Sequence, residues 1–225
     1  MLQKSAVKKT TLELLNNLMQ EPLLSSTRLV GGTSLALQIG HRKSTDLDLF
    51  TTELPDIEET VKMLKEKYGY NPQVITDRTT IGLIENVKID VIHHPYKWID
   101  EPNRKNNFRL ASIQEIAAMK LHAIANSGQR PKDFVDIAFL SDFFSYNEMK
   151  EKALEKYPMY DPIMFDRAII YFDDINTEAI ERIKMIDYKF DWKRIKQRII
   201  KMTDQPDHIF KNPPLTKMLG QQVKI

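Results

Sequence analysis

Residues 31–50 read Gly-Gly-Thr-Ser-Leu-Ala-Leu-Gln-Ile-Gly-His-Arg-Lys-Ser-Thr-Asp-Leu-Asp-Leu-Phe. The stretch follows the apolar pair Leu29-Val30 and runs from a double glycine through an apolar segment and a basic loop to an alternation of aspartate and leucine. This order predicts a short strand, a tight turn, a short helix over 35–39 and a second strand over 47–51. We therefore expect an α+β fold in which a turn and an acidic strand lie close along the chain.

The composition of the whole chain excludes several classes of protein. The 225 residues are 42% apolar and 28% charged, which is ordinary for one large or two small globular domains. There is no cysteine, so disulfides, thiolate metal sites and a cysteine nucleophile are excluded. The net charge of +2 does not indicate a polyanion partner, so any basic surface must be local. We found no signal-peptide pattern and no apolar run long enough to span a membrane, and we expect a cytoplasmic protein with no membrane partner.

The pattern of elements changes about halfway along the chain. Residues 1–110 are predicted to form a mixed α/β domain and residues 111–225 a helical domain, with the boundary in the polar stretch 101–109. Strands beyond those around the double glycine are predicted over 72–76, 79–85 and 87–93. Helices are predicted over 4–20, 56–68, 113–125, 132–143, 147–156, 162–172, 177–185 and 191–202.

Three aspartates are the candidate metal ligands and catalytic carboxylates. Asp46 and Asp48 are two residues apart, so on a strand they point to the same side. Asp90 leaves the apolar side of the predicted strand 87–93 and is the candidate third carboxylate. Three such carboxylates suit one or two Mg²⁺ ions beside a nucleotide's phosphates. The alternative is an exposed strand with solvated acids.

The glycine turn is the candidate phosphate site. Gly31 and Gly32 allow the backbone to approach a ligand closely, and the helix after them presents free N–H groups. Thr33 and Ser34 add hydroxyl groups that could contact phosphate. The alternative is a plain turn in which Ser34 caps the helix. The turn is neither a Walker A loop nor a Gly-x-Gly-x-x-Gly motif.

Four segments together resemble the AbiEii-type nucleotidyltransferase toxins, within the DNA polymerase β-like nucleotidyltransferase superfamily. They are Gly31–Leu37, His41–Phe50, Lys120–Ala123 and Arg130–Ile137, and the resemblance covers roughly residues 25–140. One departure concerns the turn. The wider superfamily carries Gly-Ser before its acidic pair, whereas here threonine follows Gly32 and serine comes one place later, so either hydroxyl is a candidate for the phosphate-binding role.

The resemblance implies a fold and an activity. The fold is a nucleotidyltransferase-type mixed sheet flanked by helices, followed by a C-terminal helical bundle. The activity is transfer of a nucleoside monophosphate from an NTP to an acceptor, with Mg²⁺ and with two ions expected. The resemblance further implies tRNA as the acceptor and a separately encoded antitoxin as a partner.

Side chains from the helical half complete the predicted site. Lys120 lies on the apolar stripe of its helix, where it either contacts the triphosphate, as the family resemblance implies, or snorkels to solvent. Asp133 and Asp136 open the next helix and share a face. The family resemblance implies that they orient the lysine or act as a general base; the alternative is that they merely complement the helix dipole. Arg28 and Arg42 flank the turn and could contact phosphate or acceptor, although solvated arginines are also common there.

A basic run near the end of the chain is a candidate RNA contact. Residues 182–201 carry eight basic residues against two acids, and an apolar stripe lies beside them. A solvated helix face is the alternative, and no run of aromatic residues for stacking bases accompanies the charges.

Three functions are compatible with these residues. The first is the Mg²⁺-dependent transfer to tRNA by a toxin. The second keeps the chemistry but uses a small molecule such as an aminoglycoside, or a protein side chain, as the acceptor. The third is a module that binds nucleotide without turning it over.

Overall fold

A computed structural model of the chain describes residues 1–218 and shows an α+β protein. The described strands form one sheet, and in chain order they are β1 (Arg28–Leu29), β2 (Leu47–Thr51), β3 (Asn71–Ile75), β4 (Thr79–Ile84), β5 (Val87–His93), β6 (Asn103–Lys105) and β7 (Phe108–Leu110). The spatial order is β3-β4-β5-β2-β1-β7-β6. Strands β2 and β5, and β1 and β7, pair in parallel, and the other neighbours are antiparallel. The mixed sheet confirms the predicted α+β class.

The α-helices of the described residues alternate with the strands at first and then follow one another. They are α1 (Lys9–Leu18), α2 (Gly31–Ile39), α3 (Ile57–Tyr68), α4 (Ile113–Asn126), α5 (Pro131–Leu140), α6 (Tyr146–Lys156), α7 (Pro162–Ile169), α8 (Thr177–Ile180) and α9 (Trp192–Asp204). Across residues 1–218, no helix combines the length and apolar character that a membrane crossing requires. The last part of the predicted helical domain, residues 219–225, lies outside the described residues.

The chain divides into two compact units. The first contains residues 1–40 and 44–116, and the second contains residues 41–43 and 117–225. The predicted boundary in the polar stretch 101–109 stays a prediction, although that stretch contributes β6 and most of β7 to the sheet.

Apolar residues at alternate positions of β2 and β5 contribute to the core of the first unit. Leu47 and Leu49 on β2 are inaccessible to solvent, as are Ile89 and Val91 on β5. Neighbouring side chains along a strand point to opposite faces, so Asp48 and Asp90, which lie between these apolar residues, point to the other face of the sheet. The sheet core therefore fixes which way the acidic residues of both strands point.

Local signals set the ends of α3 as the sequence predicts. The Asp56 side chain accepts a hydrogen bond from the backbone N–H of Glu59, and Gly69 ends the helix with φ +64°. The single helix predicted over 4–20 is wrong, because Val7 is extended and separates a 3₁₀ turn at residues 4–6 from α1.

The second unit is helical. Helix α9 packs on α5 through a buried stripe formed by Ile195, Ile199 and Met202. The most buried helix is α5, in which every residue from Pro131 to Leu140 except Lys132 is buried. The predicted arrangement of these helices as a bundle stays a prediction.

Candidate active site

Asp48 and Asp90 lie side by side in the sheet. Strands β2 and β5 pair in parallel with Asp48 opposite Asp90, Leu47 opposite Ile89 and the other residues in step. Adjacent strands lie about 4.8 Å apart, and paired residues point to the same face. The two carboxylates therefore share one face of the sheet, as the sequence predicts.

Gly31 lies directly beneath the carboxylate of Asp48. It adopts φ +66°, a left-handed conformation that favours glycine. A Cβ atom added to Gly31 would lie 3.1 Å from Asp48 Cγ and would overlap Asp48 Oδ2. The start of α2 and the acidic strand are therefore in close contact, and a side chain at position 31 would have to displace the Asp48 carboxylate.

The hydroxyl groups after the double glycine have internal partners. Thr33 Oγ1 lies 2.8 Å from Ser44 Oγ and donates to the backbone oxygen of Asp46 over 2.5 Å. Ser34 is inaccessible to solvent, and its Oγ accepts a hydrogen bond from Gln38 Nε2. Thr33 thus ties α2 to the segment that precedes β2. Neither hydroxyl supports the predicted contact with phosphate in this arrangement.

Asp46 lies one residue before β2 rather than on it, and Asp90 is engaged by a lysine. Thr45 Oγ1 donates to Asp46 Oδ1, whereas Lys88 Nζ donates to Asp90 Oδ2 over 2.5 Å. The other carboxylate oxygen of Asp90, Oδ1, is buried and has no hydrogen-bond partner among the described residues.

The predicted three-aspartate metal site is not assembled in the described conformation. Within residues 1–218, no group of three or more histidine, aspartate or glutamate side chains is gathered closely enough to hold a metal ion. Binding of metal by Asp46, Asp48 and Asp90 together stays a prediction. The buried, unpartnered oxygen of Asp90 nevertheless suits a cation, because an anionic acceptor without a donor is costly to bury.

In the second unit, Lys120 lies between two carboxylates. Its Nζ is 2.5 Å from Asp133 Oδ1 and 2.8 Å from Asp136 Oδ2. Burial by itself lowers the pKa of Lys120, but the two carboxylates outweigh burial and raise it above its ordinary value. The lysine is therefore a buried cation, and the snorkelling interpretation is wrong.

Asp136 is the centre of this buried network. Its oxygens contact Arg42 Nε at 2.6 Å and Nη2 at 2.8 Å, His41 Nε2 at 2.8 Å and Lys120 Nζ. Burial raises the pKa of Asp136, but Arg42 and Lys120 outweigh it and hold the pKa well below its usual value. A carboxylate so saturated with donors is a poor proton acceptor, which argues against the predicted general-base role of Asp136.

Asp133 and His41 occupy the edges of the network. The second oxygen of Asp133 pairs with Arg130 at 3.0 Å, and the Arg130 side chain is 69% exposed. Burial lowers the pKa of His41 despite its contact with Asp136, so the imidazole is neutral and its Nε2–H donates to the ionised Asp136. Arg42 is also buried and forms an ion pair with Asp136, which does not support the predicted contact of Arg42 with phosphate.

Comparison with known proteins identifies the family. A family model described as nucleotidyl transferase AbiEii toxin, type IV toxin–antitoxin system, matches residues 13–214. The chain belongs to the AbiEii nucleotidyltransferase toxin family. The match confirms the resemblance and extends it beyond residue 140, into the part where the sequence shows only helical patterns.

This AbiEii family member is similar to one curated protein in sequence and to two solved structures in fold. The uncharacterized protein aq_aa25 of Aquifex aeolicus is 28% identical over 184 residues, which cover 79% of this chain and 89% of the relative. The crystal structure of a proposed nucleotidyltransferase from Helicobacter pylori aligns with a TM-score of 0.54 and 17% identity, over 89% of this chain and 96% of that one. JHP933 from H. pylori aligns with the same TM-score and 16% identity, over 89% and 93% of the two chains. At these identities the two structures support the fold alone.

The basic run near the end of this family member is partly used within the second unit. Arg198 pairs with Asp142 at 3.2 Å and donates to the backbone oxygen of Asn212, and Arg194 contacts Thr216. Lys193 and Lys201 on α9 are exposed. The predicted RNA contact of the run 182–201 therefore depends on only some of its eight basic residues.

Two features of the site were missed in the sequence. Lys88 is two residues from Asp90, so the period of a strand places both side chains on one face, and this spacing was a visible signal. The pairing of Arg42 with Asp136 joins residues 94 positions apart and has no local signal. Both features place a cation on a predicted catalytic aspartate.

Proposed function

We propose that the chain transfers a nucleoside monophosphate from an NTP to tRNA, with Mg²⁺, and acts as the toxin of a toxin–antitoxin pair. The observation that carries the proposal is the parallel register of Asp48 with Asp90, with Gly31 directly beneath Asp48 at the start of α2. Family membership supports nucleotidyl transfer as the reaction. The tRNA acceptor, the antitoxin and Mg²⁺ are the parts of the proposal that need experiment.

Asp48 and Asp90, with Asp46 before them, would hold the Mg²⁺. The buried Oδ1 of Asp90 fits this assignment because it is an anionic oxygen without a donor among the described residues. Carboxylate oxygens are the ligands that Mg²⁺ prefers in proteins. When bound, Mg²⁺ neutralises phosphate charge and stabilises the attacking and leaving oxygens.

The N-terminus of α2 would hold the polyphosphate through its backbone. No side chain caps this helix, and the first N–H groups of an α-helix have no partner within the helix. The hydroxyls of Thr33 and Ser34 already have partners, and the Ser34 N–H donates to the backbone oxygen of Val30, so we assign phosphate binding to the amides of 31–33.

Lys120 and its carboxylates contribute the second set of charges. We assign Lys120 to a phosphate oxygen and Asp133 and Asp136 to orienting its ammonium, because both carboxylates already contact Nζ. Arg42 acts through Asp136 and is a positioning residue. The second oxygen of Asp133 pairs with the exposed Arg130.

The reaction follows from this placement. The acceptor hydroxyl attacks the α-phosphorus in line, its oxygen forms the new P–O bond, and the bond to the β-phosphate breaks as pyrophosphate leaves. The hydroxyl proton passes to a carboxylate or to water. Positioning of the two substrates and stabilisation of the developing charge supply most of the rate acceleration.

The test is incubation of the protein with each α-labelled NTP, Mg²⁺ and total tRNA. We expect label on RNA with the wild type and a loss of at least about 100-fold in Asp48→Asn. Asp77→Asn is the matched control, because Asp77 is an acid of the same unit with an 82% exposed side chain, and it should keep full activity.

Other outcomes contradict parts of the proposal. Label on protein, or on an added aminoglycoside, and none on RNA would contradict the RNA acceptor. Equal transfer by Asp48→Asn and the wild type would contradict the assignment of the site. Growth arrest on expression that persists in Asp48→Asn would contradict a toxic role for the transfer reaction.

A further inference from the structure

A pocket separate from the candidate active site lies in the first unit, beyond the C-terminal ends of β2 and β5. It is lined by Arg28, Thr52 and the loop 95–101, and its volume is about 700 Å³. The loop carries Trp98, and we call this site the Trp98 pocket. No part of the proposed transfer reaction uses it.

The Trp98 pocket opens on the same face of the sheet as Asp48. Arg28 lies opposite Phe50 in the antiparallel pair of β1 and β2, and residues opposite each other point to one face. Phe50 is two residues after Asp48, so it shares that face and lies roughly 7 Å further along the strand.

Aromatic rings connect the two places on this face. The ring of Phe50 lies 5.4 Å from that of His94, and His94 lies 4.9 Å from Tyr96 in the loop that lines the pocket. These rings extend from Phe50, on the face of the sheet that carries Asp48, to Tyr96 in the loop that lines the pocket.

The walls of the pocket are held in place without any ligand. The guanidinium of Arg28 lies over the Trp98 ring, 4.4 Å from its centroid, and Nη1 donates to the backbone oxygen of Asp100 over 2.5 Å. Ser112 Oγ donates to Asp100 Oδ2 over 2.6 Å. The loop is therefore fixed at both its backbone and its side chains, which lowers the entropy cost of binding.

The charges in the pocket favour a neutral planar ligand over a phosphate. Arg28 and Lys97 contribute positive charge, and Asp100 and Glu101 contribute an equal negative charge. Nucleobases are planar, stack on indole and guanidinium groups, and carry edges that hydrogen-bond to carboxylates and backbone atoms.

We propose that the Trp98 pocket binds an unpaired nucleobase beside the transfer site. The base belongs either to the single-stranded end of the RNA acceptor or to the NTP. This inference rests on the proposed function, because it assumes that nucleotides occupy the face of the sheet that carries Asp48 and Asp90.

Tryptophan fluorescence tests the pocket directly. The chain has two tryptophans, Trp98 and Trp192, so Trp192→Phe leaves Trp98 as the single indole reporter. We expect its emission to be quenched by a single-stranded oligoribonucleotide, by an NTP, or by both. Trp98→Phe is the matched control and should show no such quenching, and inorganic triphosphate, which has no base, should not quench either protein.

The outcomes separate the two sources of the base. Quenching by the oligoribonucleotide alone assigns the pocket to the acceptor, and quenching by an NTP alone assigns it to the substrate. The Trp98→Ala protein lacks the reporter, so its binding is measured by titration calorimetry; we expect the dissociation constant of the ligand that quenches to rise about fivefold to 150-fold, the range for one lost base–aromatic stack. Absence of quenching by every nucleotide, or an unchanged dissociation constant in folded Trp98→Ala, would overturn the inference.

The binding measurement is independent of turnover. It is made without Mg²⁺, and the Trp192→Phe protein gives an answer even if Trp98→Ala fails to fold. Quenching without any nucleotidyl transfer would overturn the proposed function and leave the pocket standing. Nucleotidyl transfer to RNA without quenching would overturn the inference about the Trp98 pocket and leave the proposed function standing.

Discussion

Substitution of Gly31 by alanine tests the contact between α2 and the acidic strand. Gly31 and Gly69 both lie in the first unit and adopt left-handed backbone conformations, with φ +66° and +64°. A Cβ on Gly69 would meet nothing within 4 Å, whereas a Cβ on Gly31 would overlap the carboxylate of Asp48. Gly69→Ala is therefore the matched control for the backbone effect alone.

The expected magnitudes follow from these two environments. The left-handed conformation costs a residue with a Cβ about 1–2 kcal/mol, so Gly69→Ala should lower the free energy of unfolding by that amount. Overpacking adds about 1–3 kcal/mol. Gly31→Ala should therefore cost about 2–5 kcal/mol, and it should also displace Asp48 and reduce nucleotidyl transfer, which Gly69→Ala should leave intact.

Urea unfolding measures the loss of unfolding free energy in Gly31→Ala and in Gly69→Ala, provided the slope against denaturant is the same in all variants. In an Asp48→Ala background, the overlap with Gly31→Ala is removed, because the Asp48 Cβ lies 3.5 Å from the added atom. In that background, Gly31→Ala should destabilise the protein no more than Gly69→Ala does. The difference between the two backgrounds is the coupling energy of the double-mutant cycle. Equal destabilisation by Gly31→Ala and Gly69→Ala in the wild-type background would refute this reasoning.

Two further predictions concern the second unit. Asp136→Asn leaves two buried cations without a full counter-charge and should cost about 3–5 kcal/mol in urea unfolding, whereas Arg130→Gln at an exposed pair should cost less than about 1 kcal/mol. The pKa of Asp136 in the folded protein lies well below 3.8, so its contribution to the free energy of unfolding is complete above about pH 5 and is lost as the pH falls towards that pKa. The difference in the free energy of unfolding between the wild type and Asp136→Asn should therefore narrow only in acid. Burial and Lys156 lower the pKa of His122 to about 4. The neutral imidazole therefore contributes fully to the free energy of unfolding above about pH 6.5, and this contribution is lost as the pH falls towards 4. An NMR titration of His122 should give a midpoint near 4, and a midpoint near 6.5 would contradict the burial argument.

Elements with local signals could be predicted from the sequence, and elements formed by distant pairing could not. Helix α3 carries its own cap at Asp56 and its own stop at Gly69, so its bounds were predicted within a residue. Strand β7 pairs in parallel with β1 through Leu29 and Leu110, which are 81 positions apart, and its polar surroundings give no sign of a sheet. The stretch that looked like a boundary therefore contains strands.

The same distinction applies to the candidate site. The alternation of apolar and polar residues was enough to place Asp48 and Asp90 on one face, because successive side chains along a strand point to opposite faces of the sheet. Lys120 was predicted as a phosphate ligand through the family resemblance, and Arg42 from its place beside the glycine turn. The structure gives both of them carboxylate partners on α5, and such pairings depend on tertiary packing rather than on spacing.

The assignment of residues 41–43 to the second unit has a practical consequence for work with fragments. A protein produced from residue 117 onward would lack Arg42 and His41, and its Asp136 would keep only Lys120 of its three donor residues. One cut in the gene does not yield two self-sufficient modules. A fragment starting at Ala117 would need a short peptide spanning 41–43, supplied in trans or fused through a new linker, to restore its charge balance.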